Sequence, residues 1–160
     1  MSSLARPLGI LLARAITVLA GEAAGTEHIS LVPIPPHHAS LRRRGEDTVA
    51  TVARCAAAAL RTIGIRAHVL TILRRRPGSR QQYGASAAQR RVRQHGSMLV
   101  HPVRRIAYST RLVVVDDVLT TGATCSEAIR VLTAHLPGAR ITGVAVLADA
   151  HAAAEHRQLG

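Results

Sequence analysis

Two adjacent carboxylates and a loop of threonine and glycine form the segment with the clearest capacity for chemistry. The apolar run 112–115 leads directly into Asp116 and Asp117. The loop that follows consists of Thr120, Thr121, Gly122, Ala123 and Thr124. Backbone N–H groups and hydroxyls at the start of a helix suit a phosphate group, and glycine lets the backbone approach it closely. The acids would repel that phosphate, so we expect them to accept hydrogen bonds from sugar hydroxyls or to hold Mg²⁺ through water.

The alternative for this segment is a plain core strand followed by an ordinary capped helix. In that case Thr124 is only a helix cap, and Thr124 with Glu127 has the spacing of a capping box. A cap does not explain two consecutive acids together with Thr120, Thr121 and Gly122, so we favour a binding site. The segment is not a P-loop, because it lacks the Gly-Lys-Ser/Thr ending.

Clustered positive charge is the second feature of the chain. The formal net charge is +12, and all of the basic residues other than histidine are arginines. The clusters are residues 42–44, 74–76 with Arg80, 90–93 and 104–105. They indicate an anionic partner, either a polyphosphate substrate or nucleic acid, and the alternative is a solvated basic surface. The chain has no Phe or Trp, so stacking of bases on aromatic rings is poorly supported.

The elements that position these residues follow from the hydrophobic periodicity. Strands are predicted at 28–34, 67–73, 111–116 and 140–148, and helices at 46–63 and 124–136. An additional amphipathic helix is predicted near the N-terminus, and its apolar face consists of Leu4, Leu8, Leu11, Leu12, Ala15, Ile16 and Leu19. This alternation of strands and helices predicts an α/β fold in one domain over residues 1–160, with ligands at the carboxyl ends of the strands.

Residues 74–105 interrupt the alternation. This stretch is long, polar and rich in arginine, and it has one weak helical pattern near 85–93. Elsewhere, Cys55 and Cys125 form no metal or disulfide pattern, which favours a reducing, cytoplasmic setting. The apolar run 8–20 contains Arg14 and is too short to span a bilayer, so we interpret it as a packing helix.

The segment 112–124 resembles the phosphoribosyl pyrophosphate motif of the type I phosphoribosyltransferases. The resemblance implies a parallel sheet flanked by helices, with a hood insertion at about 74–105. It implies that Asp116 and Asp117 bind the ribose and Mg²⁺, and that residues 120–124 hold the 5-phosphate. It also implies a pyrophosphate loop, in which the candidate residues are Arg42, Arg43 and Arg44. In the hood the candidates are Arg90, Arg91 and Arg93, for which a disordered basic loop is the alternative.

Shorter segments resemble the ComF competence proteins, a branch of the same superfamily. In order they are residues 4–9 with 11–14, then 32–35, 41–45, and 86–92 before Gly96. Two departures are visible. The family's N-terminal four-cysteine zinc module is missing, so we expect a short form or a truncated reading frame. Glu46, Asp47 and Thr48 replace the family's aromatic residue and Asn-Gln, which weakens any acceptor-binding role for that loop.

Two functions from different classes follow from the sequence. The first is a phosphoribosyltransferase, a pentosyl-transferring glycosyltransferase, that binds phosphoribosyl pyrophosphate with Mg²⁺ and uses a nitrogenous acceptor. The second is a non-catalytic accessory factor in DNA uptake that binds single-stranded DNA or competence proteins and uses the same site as a sensor. Regulatory RNA binding is a weaker third hypothesis. The sequence leaves the oligomeric state open, with a homodimer as one option, and it predicts no membrane span.

Overall fold

The computed structural model has a four-stranded parallel sheet at its centre, with strand order β2-β1-β5-β6. It describes residues 4–21, 28–36, 41–42, 45–77, 95–102, 110–119 and 121–149. The helices are α1 (Ala5–Ala20), α2 (Thr48–Thr62) and α3 (Ala123–His135). The strands are β1 (His28–Pro33), β2 (Ala67–Val69), β3 (Leu73–Arg75), β4 (Met98–Val100), β5 (Thr110–Leu119) and β6 (Arg140–Asp149). The predicted α/β class, with helices flanking a parallel sheet, is confirmed.

One face of the sheet is covered by α1 and α2, which pack on Ile29, Leu31, Val113 and Val115. The predicted apolar face of α1 is wrong in part, because Leu4 and Leu11 are exposed while Gly9 and Ala13 are buried. A Cβ at Gly9 would collide with Cys55 on α2. Small residues therefore face α2 because they let the two helix backbones approach closely, and Leu4 and Leu11 are left outside.

The opposite face of the sheet is covered by α3 and by a two-stranded antiparallel ribbon of β3 and β4. Ile72, Leu73 and Met98 from the ribbon join Val32, Leu112 and Val114 from the sheet in one buried cluster with α3. The base of the predicted hood is thus ordered structure that belongs to the core. The sequence interpretation did not include β4.

The predicted strand 67–73 is wrong as a single element. The chain leaves the sheet after Val69, and the N–H of Leu70 donates to Leu31 O at 2.8 Å. Ile72 N–H then donates to Leu70 O at 3.0 Å, a tight turn that redirects the chain into β3. The mainly apolar composition of this segment hides the break, because both strands need buried side chains and apolarity alone does not say in which sheet a strand lies.

Candidate functional site

The two acids lie inside a paired strand, close to the point where it ends. β5 continues to Leu119, three residues beyond the predicted end, and Asp116 is in register with Val146 of β6. On its other side β5 pairs with β1 as far as Val115, whose carbonyl accepts a 2.8 Å hydrogen bond from Ile34 N–H. The carboxyl ends of β1 and β5 therefore bring the Pro35 segment beside Asp116.

Asp116 is buried, with 8% of its surface exposed. Its Oδ1 accepts a 2.9 Å hydrogen bond from the N–H of Asp117, and the Cys125 thiol donates to Oδ2 at 3.8 Å. Burial raises the pKa of Asp116 to about 6, and the charge of Asp117 adds to the rise, while the Asp117 N–H and the charge of Arg75 act against it. The ionised carboxylate is thus held in a site that disfavours its charge.

Cys125 contributes a neutral donor. Burial, together with the neighbouring charge of Asp116, raises the pKa of its thiol to about 12. The thiol therefore stays protonated at neutral pH and keeps its hydrogen for Asp116 Oδ2. It has none of the features of a reactive cysteine, which require a stabilised thiolate.

The loop after β5 turns sharply into α3 at Gly122, which has φ of 67°. Thr121, Gly122 and Thr124 are partly exposed, and Ala123 is buried. The predicted capping box is wrong, because Gly122 occupies the N-cap position, no side chain caps the helix, and Thr124 lies inside the first turn. Uncapped N–H groups at a helix start are the groups that bind anions. The phosphate role of residues 120–124 stays a prediction, and Thr120 lies outside the described residues.

Arg75 is a site residue that the sequence interpretation did not single out. It extends from β3 to the carboxyl edge, where its Nε donates to Pro35 O at 3.0 Å. Its Nη1 is buried and has no hydrogen-bond partner among the described residues. Burial lowers the pKa of Arg75, and the charge of Asp116 acts in the opposite direction. The run Arg74–Arg76 gave no signal for which of the three side chains turns inward, because that depends on the side of the ribbon that faces the sheet.

Glu127 anchors the ribbon that carries Arg75. Its carboxylate is 4% exposed and forms two hydrogen bonds with Arg130, at 2.8 and 2.9 Å. Burial alone would raise the pKa of Glu127, but the bonds from Arg130 and from the backbone N–H groups of Gly96 and Met98 outweigh it, and the pKa is lowered. Glu127 therefore joins α3 to the start of β4 in its charged form. The sequence assigned it to a helix cap instead.

The remaining predicted site residues divide into two groups. Arg42 is described and is exposed. The other six predicted residues lie outside the described ranges. They are Arg43, Arg44, Arg90, Arg91, Arg93 and Thr120. The structure thus brings Asp116, Asp117 and residues 121–124 together.

The residues present fit a magnesium ion held jointly with a substrate. Within the described ranges no group of three or more His, Cys, Asp or Glu side chains forms a complete metal site. Asp116 and Asp117 supply two carboxylates, and Mg²⁺ commonly takes one or two carboxylates and completes its shell with substrate phosphates and water. A cation beside Asp116 would also offset the cost of its buried charge.

Comparisons with known proteins add little to this geometry. No family model matches the sequence, and a search of curated proteins finds no relative. Among solved structures, the orotate phosphoribosyltransferase from Aeropyrum pernix is similar with 16% sequence identity and a TM-score of 0.40, over 96% of this chain and 76% of that one. A TM-score this low does not support a function. Membership of the ComF branch stays a prediction. None of the described helices is long and apolar enough to cross a bilayer.

Proposed function

We propose that the protein binds phosphoribosyl pyrophosphate with Mg²⁺ at the carboxyl edge of the sheet and transfers the phosphoribosyl group to a nitrogenous acceptor. One observation carries the proposal. β5 presents Asp116 and Asp117 immediately before an uncapped helix start at the left-handed residue Gly122. Two acids suited to sugar hydroxyls and a turn suited to a phosphate therefore lie within one short stretch of backbone.

The hydroxyls and the 5-phosphate of the ribose need different binding partners, and residues 116–124 contain both kinds. The N–H groups that open α3, with the hydroxyls of Thr121 and Thr124, would hold the 5-phosphate. Thr120 belongs to the same loop and is proposed for the same task. Asp117, which is half-buried, would accept hydrogen bonds from the ribose hydroxyls directly. Asp116 would contact the sugar through its small exposed fraction and keep the Asp117 backbone in place through the 2.9 Å hydrogen bond.

Arg75 would complete the site on the pyrophosphate side. A buried guanidinium N–H without a partner costs free energy, and a phosphate oxygen is the acceptor that best satisfies it. The Nε bond to Pro35 fixes the orientation of the guanidinium in advance. Because the leaving pyrophosphate gains charge as its bond to C1 breaks, a fixed positive group beside it stabilises the transition state more than the ground state. Arg42, Arg43 and Arg44 are proposed to assist on the same side.

Bound Mg²⁺ would supply further neutralisation of the pyrophosphate charge. The chain's own residues orient the sugar and hold the phosphates at both ends, and this reaction needs charge stabilisation more than a strong general base. The proposed role of the hood, including Arg90, Arg91 and Arg93, is to exclude water from C1 while it carries positive charge.

Calorimetric titration with phosphoribosyl pyrophosphate and Mg²⁺ tests the proposal. The parent should bind, and the double variant Asp116→Asn/Asp117→Asn should lose about 100-fold or more in affinity, since two charged hydrogen-bond acceptors are removed. Glu46→Gln removes a carboxylate elsewhere on the chain and should bind like the parent. Equal affinity of the double variant and the parent would remove the roles given to both acids.

Nucleic-acid binding is the second candidate, favoured by the net charge of +12. Exposed arginines of the described residues lie on α1, α2 and the ribbon, among them Arg14, Arg54 and Arg76. Titration with single-stranded DNA at several salt concentrations separates this function from the first. Binding that weakens steeply with salt supports it, whereas weak binding with a shallow salt dependence counts against it.

A further inference from the structure

The ribbon of β3 and β4 is too short to hold its position by strand pairing alone. Its strands, Leu73–Arg75 and Met98–Val100, have three residues each, and Arg76 N–H donates to Ser97 O at 2.8 Å beside them. A two-stranded pair is marginally stable in water, so the ribbon depends on its neighbours. Its apolar side joins the core under α3, but apolar contacts are non-directional and do not by themselves fix where Arg75 lies.

Glu127 of α3 makes a directional contact with this ribbon. Its carboxylate accepts hydrogen bonds from the backbone N–H groups of Gly96 and Met98, at the start of β4. Met98 lies directly opposite Arg75 in the antiparallel register. The carboxylate therefore holds the ribbon at the level of the strand position that carries the inward-facing arginine.

The burial of Glu127 indicates that its contact serves position more than stability. Glu127 is almost fully buried, whereas its partner Arg130 is partly exposed. Desolvation offsets much of the attraction within a buried ion pair, so such a pair is an inefficient source of stability. A carboxylate accepts hydrogen bonds in defined directions, and the two bonds from Arg130 hold the orientation of this one.

Arg75 is the residue whose position this contact sets. Its Nε donates to Pro35 O at 3.0 Å, and its buried Nη1 has no hydrogen-bond partner within the described part of the chain. The bond to Pro35 orients the guanidinium but leaves the strand beneath it to be fixed by other contacts. Precise placement matters, because a displacement of about 1 Å in a positioning group can cost about 100-fold in rate.

We propose that Glu127 is a positioning residue that holds Arg75 at the pyrophosphate side of the carboxyl edge. This inference rests on the proposed function, which assigns the leaving pyrophosphate to Arg75. Glu127 lies five residues after Gly122 on the same helix and acts through the start of β4. In this arrangement α3 serves both ends of the ligand. Its first N–H groups would hold the 5-phosphate, and its next turn holds the ribbon that presents Arg75.

Two partial ligands separate a positioning role from general support of the fold. Calorimetric titration compares pyrophosphate with Mg²⁺ and ribose 5-phosphate. Glu127→Gln keeps the side-chain shape but replaces one acceptor oxygen with a donor. It should weaken pyrophosphate binding about tenfold and leave ribose 5-phosphate binding unchanged, because the N–H groups that open α3 remain. Ser126→Ala, at an exposed neighbour, should bind both ligands like the parent. An equal loss for both ligands, or no loss for pyrophosphate, would overturn the proposal.

A double-mutant cycle tests whether Glu127 acts through Arg75. Arg75→Met removes the guanidinium, so the addition of Glu127→Gln should cause no further loss of pyrophosphate affinity. Arg74→Met is the control background, because Arg74 is the exposed neighbour, and there Glu127→Gln should still cost about tenfold. Losses that add in the Arg75→Met background would show that Glu127 does not act through the arginine.

A measurement without ligand reports on the same contact. The Nε–H of Arg75 gives a signal in proton–nitrogen correlation spectra, which Arg75→Met identifies by its disappearance. Its exchange with solvent should be slow in the parent, because Nε donates to Pro35 O. Glu127→Gln should speed this exchange about tenfold, and Ser126→Ala should not change it. A parental exchange rate in Glu127→Gln would contradict the positioning role.

Two further arms keep the result interpretable. If Glu127→Gln does not fold, Arg130→Gln replaces it, since it removes the two bonds that orient the carboxylate and should speed the Arg75 exchange about threefold. An unchanged rate in Arg130→Gln would then count against the proposal. If the parent binds neither pyrophosphate nor ribose 5-phosphate, the proposed function fails, and the exchange of the Arg75 Nε–H still decides whether Glu127 positions this arginine.

Discussion

The two ends of the central sheet have opposite chemistry although the same parallel strands build both. At the carboxyl end, Asp116 and Asp117 lie beside one inward-facing arginine, Arg75. At the amino end, the described ionisable residues His28, Arg61, Arg66 and His68 are all basic, and burial lowers the pKa of His68. The carboxyl end thus combines both signs of charge around a helix start, whereas the amino end concentrates one sign around the end of a helix.

At both ends of the sheet, burial destabilises the charged form of a titratable side chain, and the resulting pKa shifts have opposite signs. It raises the pKa of Asp116 and lowers the pKa of His68. A ligand that brings cations and hydroxyl donors would stabilise the ionised form of Asp116, and an anionic ligand would stabilise the protonated form of His68. The comparison indicates that one parallel sheet can carry two edges of different charge, because the strands separate them along their length.

The largest expected effect comes from removing the arginine of the carboxyl end. Arg75→Met keeps the length of the side chain but loses the donors, so affinity for phosphoribosyl pyrophosphate with Mg²⁺ should fall about 100-fold in calorimetric titration. Arg74→Met is the control, because Arg74 is the adjacent ribbon residue and is exposed. If the two variants bind equally well, Arg75 does not contact the ligand.

The difference in stability between the Asp116→Asn variant and the parent should depend on pH. Because the pKa of Asp116 is raised to about 6 in the folded protein, the folded state binds the proton more tightly than the unfolded state does. The parent therefore loses stability as pH rises from about 4 to about 6. Without the buried charge, the variant should be more stable than the parent by about 2 kcal/mol at pH 8 and equal to it near pH 4.

Urea unfolding across this pH range measures the difference. Asp117→Asn is the matched control, since it removes the neighbouring carboxylate, which is less buried. A constant difference between Asp116→Asn and the parent at all pH values would show that the ionised carboxylate carries no burial cost.

Glu127→Gln tests the attachment of the ribbon to α3. The pKa of Glu127 is lowered in the folded state, so its contribution to stability is present above the unfolded pKa and is lost as pH falls through the folded value. The variant should be less stable by about 1–2 kcal/mol at neutral pH, and the deficit should shrink in acid. Ser126→Ala changes an exposed neighbour on α3 and should have little effect in the same unfolding experiment. A deficit that persists unchanged in acid would contradict the role of the charge.

Gly122→Ala should have a smaller effect on folding and a selective effect on binding. Alanine at φ of 67° costs about 1 kcal/mol. Gly64→Ala is the control, because Gly64 has φ of 83°, has space for a methyl group and lies at the amino end of the sheet. The midpoint of thermal unfolding should fall by a similar amount in both variants. Only Gly122→Ala should weaken binding of the 5-phosphate. Equal binding in both would separate this turn from the ligand.

The smallest expected effect lies at the amino end. The charge of Arg61 lowers the pKa of His68, so Arg61→Gln should raise that pKa by a few tenths of a unit when no ligand is present. Histidine proton titration of Arg61→Gln and Arg54→Gln measures the difference. A larger change in the pKa of His68 in Arg54→Gln than in Arg61→Gln would contradict the described proximity of Arg61 and His68.

Local patterns were sufficient for the central elements of the fold. The run 112–117 predicted a buried strand ending in acids, and alternation with helices predicted the parallel sheet that the structure contains. The end of α3 before Pro137 was also predicted correctly. These features follow from side-chain type and spacing within a few residues, which sequence reports directly.

Features that depend on distant partners were missed or misplaced. The capping box at Thr124 was wrong because Glu127 pairs instead with Arg130 and with the ribbon. The buried side of α1 was misjudged because close approach to α2 at Gly9 favours small residues over large ones. In both cases the residue that decides the outcome lies on another element.

The sequence by itself determined the strand, the acids and the phosphate-type turn, because their order along the backbone fixes their proximity. Only the tertiary structure decided that Arg75 reaches the carboxyl edge, since the chain must first leave the sheet at Leu70 and turn into the ribbon. It likewise brought His28 and His68, which are far apart in sequence, together at the amino edge. Both outcomes depend on strand register and on how the connecting segments pack, which are set by long-range contacts that no local pattern encodes.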